Sequence, residues 1–416
     1  MTTRRELLAG ALALAALSAC GESEPSKGKS PAMGERPPAM GERPLGLGGR
    51  PLDAGVLFAR TAAGLAAVDL ATAQVRATYT GAIPDQGWTS LHELTPQGEL
   101  RLLDAATGTV RTTIKVGGQQ VDGLQIKAVS DHLVAVGPEP GPRTSTPISL
   151  VSDAGVRELR LAGNVEPEAF STDEQVMYVL EYLPPDKPDR YRVRMYDLAQ
   201  GVSNPLLTRD KRPVPQGKEE EMRGQGRQAV RGDGVLYTLY NHQPDHLHVR
   251  DLVAGHDSAP EVHAFVHVLN LEQRWAYCLD LPQPFGLGPA EGHTLALSGG
   301  RLYVFDATSG RLVTAGTEQL TLDRSAFLTP SPGPAAALVD GNRLYLASGT
   351  QVQVVGTANL TSEASWSLPG QARGLAMRSG ELLVGSAEQV LRLDPATGAR
   401  RGVIDLPGLQ AVLHAQ

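Results

Sequence analysis

The chain has 416 residues, 41% hydrophobic but only 5% aromatic, with 46 Gly, 30 Pro and a formal charge of -7. That length could hold several domains, yet many turns and short apolar runs favour one large all-β unit. No basic stripe accompanies the charge, which excludes nucleic acid as the expected partner, and two cysteines, Cys20 and Cys278, leave no disulfide framework.

Residues 1–20 read MTTRRELLAGALALAALSAC. Arg4 and Arg5 make a basic start, and Leu7–Leu17 is an apolar run too short to span a bilayer. Leu17-Ser18-Ala19-Cys20 resembles the bacterial lipobox. The resemblance implies cleavage after residue 19 and acylation of Cys20, so 1–19 reads as a lipoprotein signal peptide. Thr3–Leu8 also resembles a twin-arginine signal, which leaves the export route open between the general secretory and twin-arginine systems. The expected location is extracytoplasmic, anchored to a bacterial cell membrane through Cys20, since more than one acyl chain gives a durable anchor.

Residues 20–54 read as the lipidated cysteine and a flexible tether rich in Pro and Gly. The heptad PAMGERP occurs twice in succession, at Pro31–Pro37 and Pro38–Pro44, with almost no β-branched or aromatic residue nearby. Such a segment cannot bury enough surface to offset the entropy of ordering.

From Gly55 onward the pattern changes to short runs of period-two alternation separated by Gly, Ser, Asp and Pro, the signature of half-buried antiparallel strands. The last unit, Arg373–Gly408, contains four such runs: Gly374–Met377, Leu382–Val384, Val390–Leu393 and Val403–Leu406. Four-stranded units recurring at about 40–45 residues predict a single β-propeller over 55–416. Eight units can be counted, or seven if the first two short ones are misdivided. Unit two supplies three runs, Trp88–Leu94, Leu100–Asp104 and Val110–Val116, and unit four begins at Glu168–Ser171. Unit one lacks an innermost strand, and Leu409–His414 is its expected donor, so the C-terminal strand should close the ring.

The turns Asp69–Ala73, Asp104–Gly108, Asp197–Gly201 and Asp394–Gly398 share one pattern. Asp binds its own turn backbone and Gly supplies a positive φ, so these carboxylates are read as turn formers. Asp306–Gly310 looks similar but fits a turn between the second and third strands.

Strands such as Arg301-Leu-Tyr-Val-Phe305 and Arg343-Leu-Tyr-Leu-Ala347 resemble the YVTN/YncE-type propeller repeats of bacteria, from about Gly55 to the C-terminus. The usual Pro-Asp-Gly turn of those repeats is replaced here by Ser298-Gly-Gly300, Arg231-Gly-Asp-Gly234 and Val339-Asp-Gly341. The resemblance implies the fold and little about function, because propellers host binding proteins, lactonases and lyases alike.

Five long connections, Gly137–Pro147, Leu183–Arg190, Thr208–Arg227, Asn241–His263 and Pro282–Gly292, all fall on one face of units three to six. Long loops on one rim of a rigid scaffold are where binding resides. Residues entering the inner strands should ring the channel mouth there: Glu166, Glu168, Arg223, Arg227, Glu291, His293 and Arg373. They suit a small polar ligand or a protein surface, or are solvated loop charges. Histidines crowd unit five. His242, His246, His248, His263 and His267, with Asp245, Asp251 and Asp257 nearby, are candidate ligands for a transition metal, although no recognised ligand spacing is present. Cys278 alternates with apolar neighbours and reads as a buried thiol.

The expected function is therefore a membrane-tethered binding module acting on a ligand or protein. One alternative is a lactonase-like hydrolase or lyase at the channel mouth; the other is an envelope assembly scaffold.

Overall fold

The computed structural model describes residues 55–116, 123–215, 217–223, 226–243, 246–255 and 262–416. The expected signal peptide, Cys20, the tether, Asp245 and Asp257 lie outside the described residues.

Among the described residues thirty-three short strands pair into eight blades, each antiparallel apart from one added outer strand in blade five. Alternation places apolar residues on both faces of each blade. The described core accordingly divides into eight hydrophobic clusters, one in each seam between neighbouring blades. Blade five shows the division: Leu239, Val266 and Leu279 face blade six, whereas Tyr240, Phe265 and Cys278 face blade four. Eight seams settle the count at eight blades.

The ring closes as expected. The C-terminal strand Leu409–Ala415 pairs antiparallel with Val56–Thr61 and becomes the innermost strand of blade one. It also touches the inner strand of blade eight through a bridge between Gly374 and Val412, joining the two blades into one eight-stranded sheet. Leu409 is fully buried, and His414 stacks on Trp88, which in turn packs on Phe58.

Two inner strands differ from the sequence reading. Blade two has an inner strand of only two residues, Ile83–Pro84, too short to register as a periodic run. The inner strand of blade four starts at Asn164 rather than Glu168, with a bulge between Pro167 and Ala169. That bulge breaks the alternation and hid its first half.

The recurrent aspartates are turn formers. Asp69 Oδ1 accepts from the backbone N–H groups of Ala71 and Thr72, and Asp394 Oδ1 accepts from those of Ala396 and Thr397. Asp69, Asp104 and Asp394 each also pair with an arginine seven residues on, Arg76, Arg111 and Arg401. Asp306 caps the turn between the second and third strands of blade six.

Candidate functional site

The blade topology puts all five long connections on one face, and two of them, Thr208–Arg227 and Asn241–His263, meet at the seam between blades four and five. After the outer strand of blade four, Val202–Pro205, the chain crosses to blade five, where Leu207–Thr208 adds a parallel fifth strand beside Trp275–Asp280. It then returns to blade four, where Met222 pairs with Tyr191. It finally enters blade five as its inner strand, Gly226–Gly232. The segment 217–223 thus straps the edge of blade four where its regular outer strand stops.

Strand parity decides what the strap presents. Met222, opposite Tyr191, turns toward blade five and joins the seam core, and Glu220 shares its side. Glu219 and Glu221 point the other way. Glu219 pairs with Arg192 at 2.8 Å and Arg194 at 2.7 Å, and Glu221 pairs with Arg190 at 2.5 Å. These three arginines share one face of the strand Arg190–Asp197. The run Glu219-Glu220-Glu221 is therefore two anchors flanking one carboxylate aimed into the seam.

Glu220 meets the connection between the second and third strands of blade five. His246 is 3% and His248 1% exposed. His246 Nε2 lies 3.2 Å from His248 Nδ1, and Glu220 Oε1 lies 3.5 Å from that same Nδ1. Glu220 Oε2 is 3.9 Å from His246 Nε2. The Val249 backbone N–H donates to Glu220 Oε1 at 2.6 Å, fixing the carboxylate. The second nitrogen of His248, Nε2, is hydrogen-bonded to Asp280, which also pairs with Arg250. His246 stacks on Phe265 at 4.5 Å and His248 meets the same ring edge-on, so both imidazoles are held in place. Cys278 and Asp280 project from one face of Trp275–Asp280, and the Cys278 thiol donates to Glu220 Oε2 at 3.1 Å.

The electrostatics are mutual. Burial works against charge on Glu220, but hydrogen bonding and attraction from His248, then His246, hold its carboxyl down at about 2. Burial likewise opposes protonation of His248, yet Asp280 and Glu220 raise it to about 9. Burial lowers His246 and the deeper His267 to about 4. Burial and Glu220 push the Cys278 thiol well above its ordinary value. Two imidazoles, a carboxylate and a thiol can attract a cation, share a proton, or bind a polar group brought between them.

The residues expected at the channel mouth fare differently. Glu166 is buried, accepting from Lys127 Nζ at 3.2 Å and from the Tyr182 hydroxyl at 2.7 Å. Glu168 sits half-buried at the bulge. His293 is buried too: Nε2 accepts from the Gly286 N–H and Nδ1 contacts the Pro289 carbonyl, both at 3.0 Å. Arg373 binds the carbonyl of Leu409 and so belongs to the closure. Arg223 is exposed on the strap, Arg227 lies in the inner strand of blade five, and Glu291 is half-buried in the short turn Ala290–Gly292. Of the five histidines proposed as ligands, His246 and His248 meet. His267 lies on the strand beneath them, opposite Cys278. His242 stands near Glu291 and His293 instead, and the His263 carbonyl accepts from the Gln243 N–H at 3.1 Å.

Glu220 and Asp280 were missed from the sequence. The available signal was three consecutive glutamates following a strand with arginines at alternate positions, Arg190, Arg192 and Arg194. Two glutamates answer that arginine face, which leaves the middle one free to point elsewhere.

No protein-family model matches the chain, and no curated protein matches it by sequence. Solved structures do. Apo AztD from Citrobacter koseri has a TM-score of 0.53 at 11% identity, covering 87% of this chain and 98% of its own. The dihydro-heme d1 dehydrogenase NirN, in complex with DHE, has a TM-score of 0.52 at 11% identity, covering 91% of this chain and 77% of its own. Likeness at that identity concerns the fold alone. Together with the eight closed seams, it makes this chain a β-propeller.

Proposed function

We propose that the chain is an extracytoplasmic binding propeller, tethered to a membrane through Cys20, whose working surface is the loop-rich face over blades three to six. The observation that carries this reading is the convergence of the strap 217–223 and the blade-five connection on one seam, where they bury His246 and His248 against the half-buried Glu220. Charged groups are costly to bury unless they are paired or have a task. The same face exposes two large apolar side chains, Val253 and Leu287. The lipobox-like segment and the YVTN/YncE-type strands support the extracytoplasmic setting.

The channel-mouth hydrolase or lyase draws little from these positions. Among the expected channel-mouth residues, His293 has both ring nitrogens facing backbone partners, and Glu166 is taken up by Lys127 and Tyr182.

Photo-cross-linking residues placed at Val253 and Leu287, and as a control at the exposed Asn342 in a turn on the opposite face, test the working surface in native membranes. Discrete adducts from the first two positions alone are expected; equal labelling from Asn342 contradicts the reading. Cys20→Ala should move the protein from the membrane fraction to the soluble fraction, and a chain that stays with the membrane argues against the anchor.

A further inference from the structure

Three donor atoms from two separate connections converge at the blade four–five seam. We propose that Glu220, His246 and His248 bind one divalent transition-metal ion of the zinc class, through a carboxylate oxygen, Nε2 of His246 and Nδ1 of His248. This rests on the loop-rich face being the working face, and it names the ligand there.

The spacing fits. One ligand atom from each residue lies within 4.8 Å of the other two; the imidazole nitrogens are 3.2 Å apart, Glu220 Oε1 is 3.5 Å from His248 Nδ1, and the other oxygen, Oε2, is 3.9 Å from His246 Nε2. A tetrahedral ion with bonds of about 2.0–2.1 Å sets its ligands about 3.3 Å apart, close to the separation of the two imidazole nitrogens, and the carboxylate reaches the ion by a small rotation of the Glu220 side chain. Each donor is already oriented. Asp280 holds the far nitrogen of His248, the outer-shell arrangement that fixes the tautomer of a ligating imidazole and raises its basicity. The Val249 N–H directs Glu220, and Phe265 supports both rings.

The donor types set the class of ion. Two imidazoles and one carboxylate suit zinc, cobalt, nickel or copper, whereas calcium and magnesium require oxygen-rich shells. Three protein ligands leave a fourth position for water or a bound group, and the Cys278 thiol, which donates to Glu220 Oε2, stands outside the donor set. Binding through both facing nitrogens requires each to be unprotonated, so any proton shared in their 3.2 Å contact leaves to water as the ion enters. The Glu220 side chain, 17% exposed, marks the way in from solvent. A competing account uses the same contacts without an ion: His248 as an imidazolium held between Asp280 and Glu220.

The full chain, purified in detergent without a histidine tag and stripped with chelator, is titrated with Zn²⁺ and Co²⁺. The expected result is about one ion per chain with Kd of roughly 1 μM or tighter, visible cobalt bands of a tetrahedral site, and no displacement by excess Mg²⁺ or Ca²⁺. His246→Gln with His248→Gln should weaken binding by about 100-fold and Glu220→Gln by at least about tenfold, while His242→Gln retains it. Thermal melts of the stripped variants establish that they fold. Absence of saturable binding to the wild-type chain overturns the proposal and leaves the ion-pair account. Undiminished binding to the folded double variant overturns it as well, by placing the ion elsewhere. An ion bound without loop-face cross-links would defeat only the working-surface reading; cross-links without an ion would defeat only the metal site.

Discussion

Met222 and Tyr191 exchange two backbone hydrogen bonds, 2.7 Å from the Met222 N–H and 2.9 Å from the Tyr191 N–H. This one bridge fixes the register of the strap, and the register fixes which of three adjacent glutamates enters the seam. A slip of one residue would send Glu219 or Glu221 toward His246 and turn Glu220 to the arginines.

The anchors on the other side of the strap should therefore control its order without holding up the ring. Glu219→Gln with Glu221→Gln removes the strap's ion pairs to Arg190, Arg192 and Arg194, which keep Asp189 and Glu181 within their own blade. Partly exposed pairs of this kind contribute about 0.2–1 kcal/mol each. Hydrogen exchange in 217–223 should rise markedly while the melting temperature falls by only a few degrees. Unchanged exchange in the strap would mean that the bridge at Met222 suffices alone.

Closure rests on a close approach. Gly374 adopts φ 87°, and a Cβ there would overlap the carbonyl oxygen of Val412 on the closing strand. Gly374→Val should strain the backbone and push Leu409–Ala415 off blade eight. Removing residues 409–416 altogether exposes the seam that holds Leu409, Val412 and Ala415. Each buried large apolar side chain is worth about 1.5–3 kcal/mol, against a total stability of about 5–15 kcal/mol. Cooperative unfolding of the truncated chain at ambient temperature is expected; wild-type melting would contradict the closure.

Glu166 tests whether a residue expected at the channel mouth is structural. Glu166→Ala leaves the Lys127 ammonium, 2% exposed, without its carboxylate partner. Breaking one side of such a pair costs about 3–5 kcal/mol. Chemical denaturation should show that loss, and Lys127→Met combined with Glu166→Leu should recover most of it. A single variant as stable as the parent would return Glu166 to the list of free binding groups.

The turn aspartates give an acid signature. Backbone donation from Thr72, then Arg76, lowers Asp69 from 3.8 to about 2, and similar contacts lower Asp104 and Asp394. A carboxyl that titrates lower in the folded chain stabilises it above the unfolded value. That contribution is lost as pH falls from about 4 toward 2. Replacing all three with Asn should flatten the stability profile across that window and lower stability at neutral pH. A profile as steep as the wild type's would assign acid sensitivity to other groups.

The sequence carried the architecture because each blade repeats the same local rules of alternation, turn residues and closing strand. Blade two's inner strand escaped because Ile83–Pro84 is shorter than any period, and the start of blade four's because Pro167–Ala169 bulges. That the long connections share one face could be read from their length and their place between strands. The site could only be half read: His246 and His248 stood two apart in one connection, but Glu220 came from another loop and Asp280 from a strand end. Their meeting depends on the bridge at Met222, a contact 31 residues from its partner Tyr191 that no local pattern announces.

The most direct test is anomalous diffraction at the zinc edge from crystals grown with one equivalent of Zn²⁺. A single peak between Glu220, His246 and His248, about 2.0–2.2 Å from each donor atom, is the predicted result. No peak there, or a peak only elsewhere on the chain, such as at His242 or His263, would contradict it.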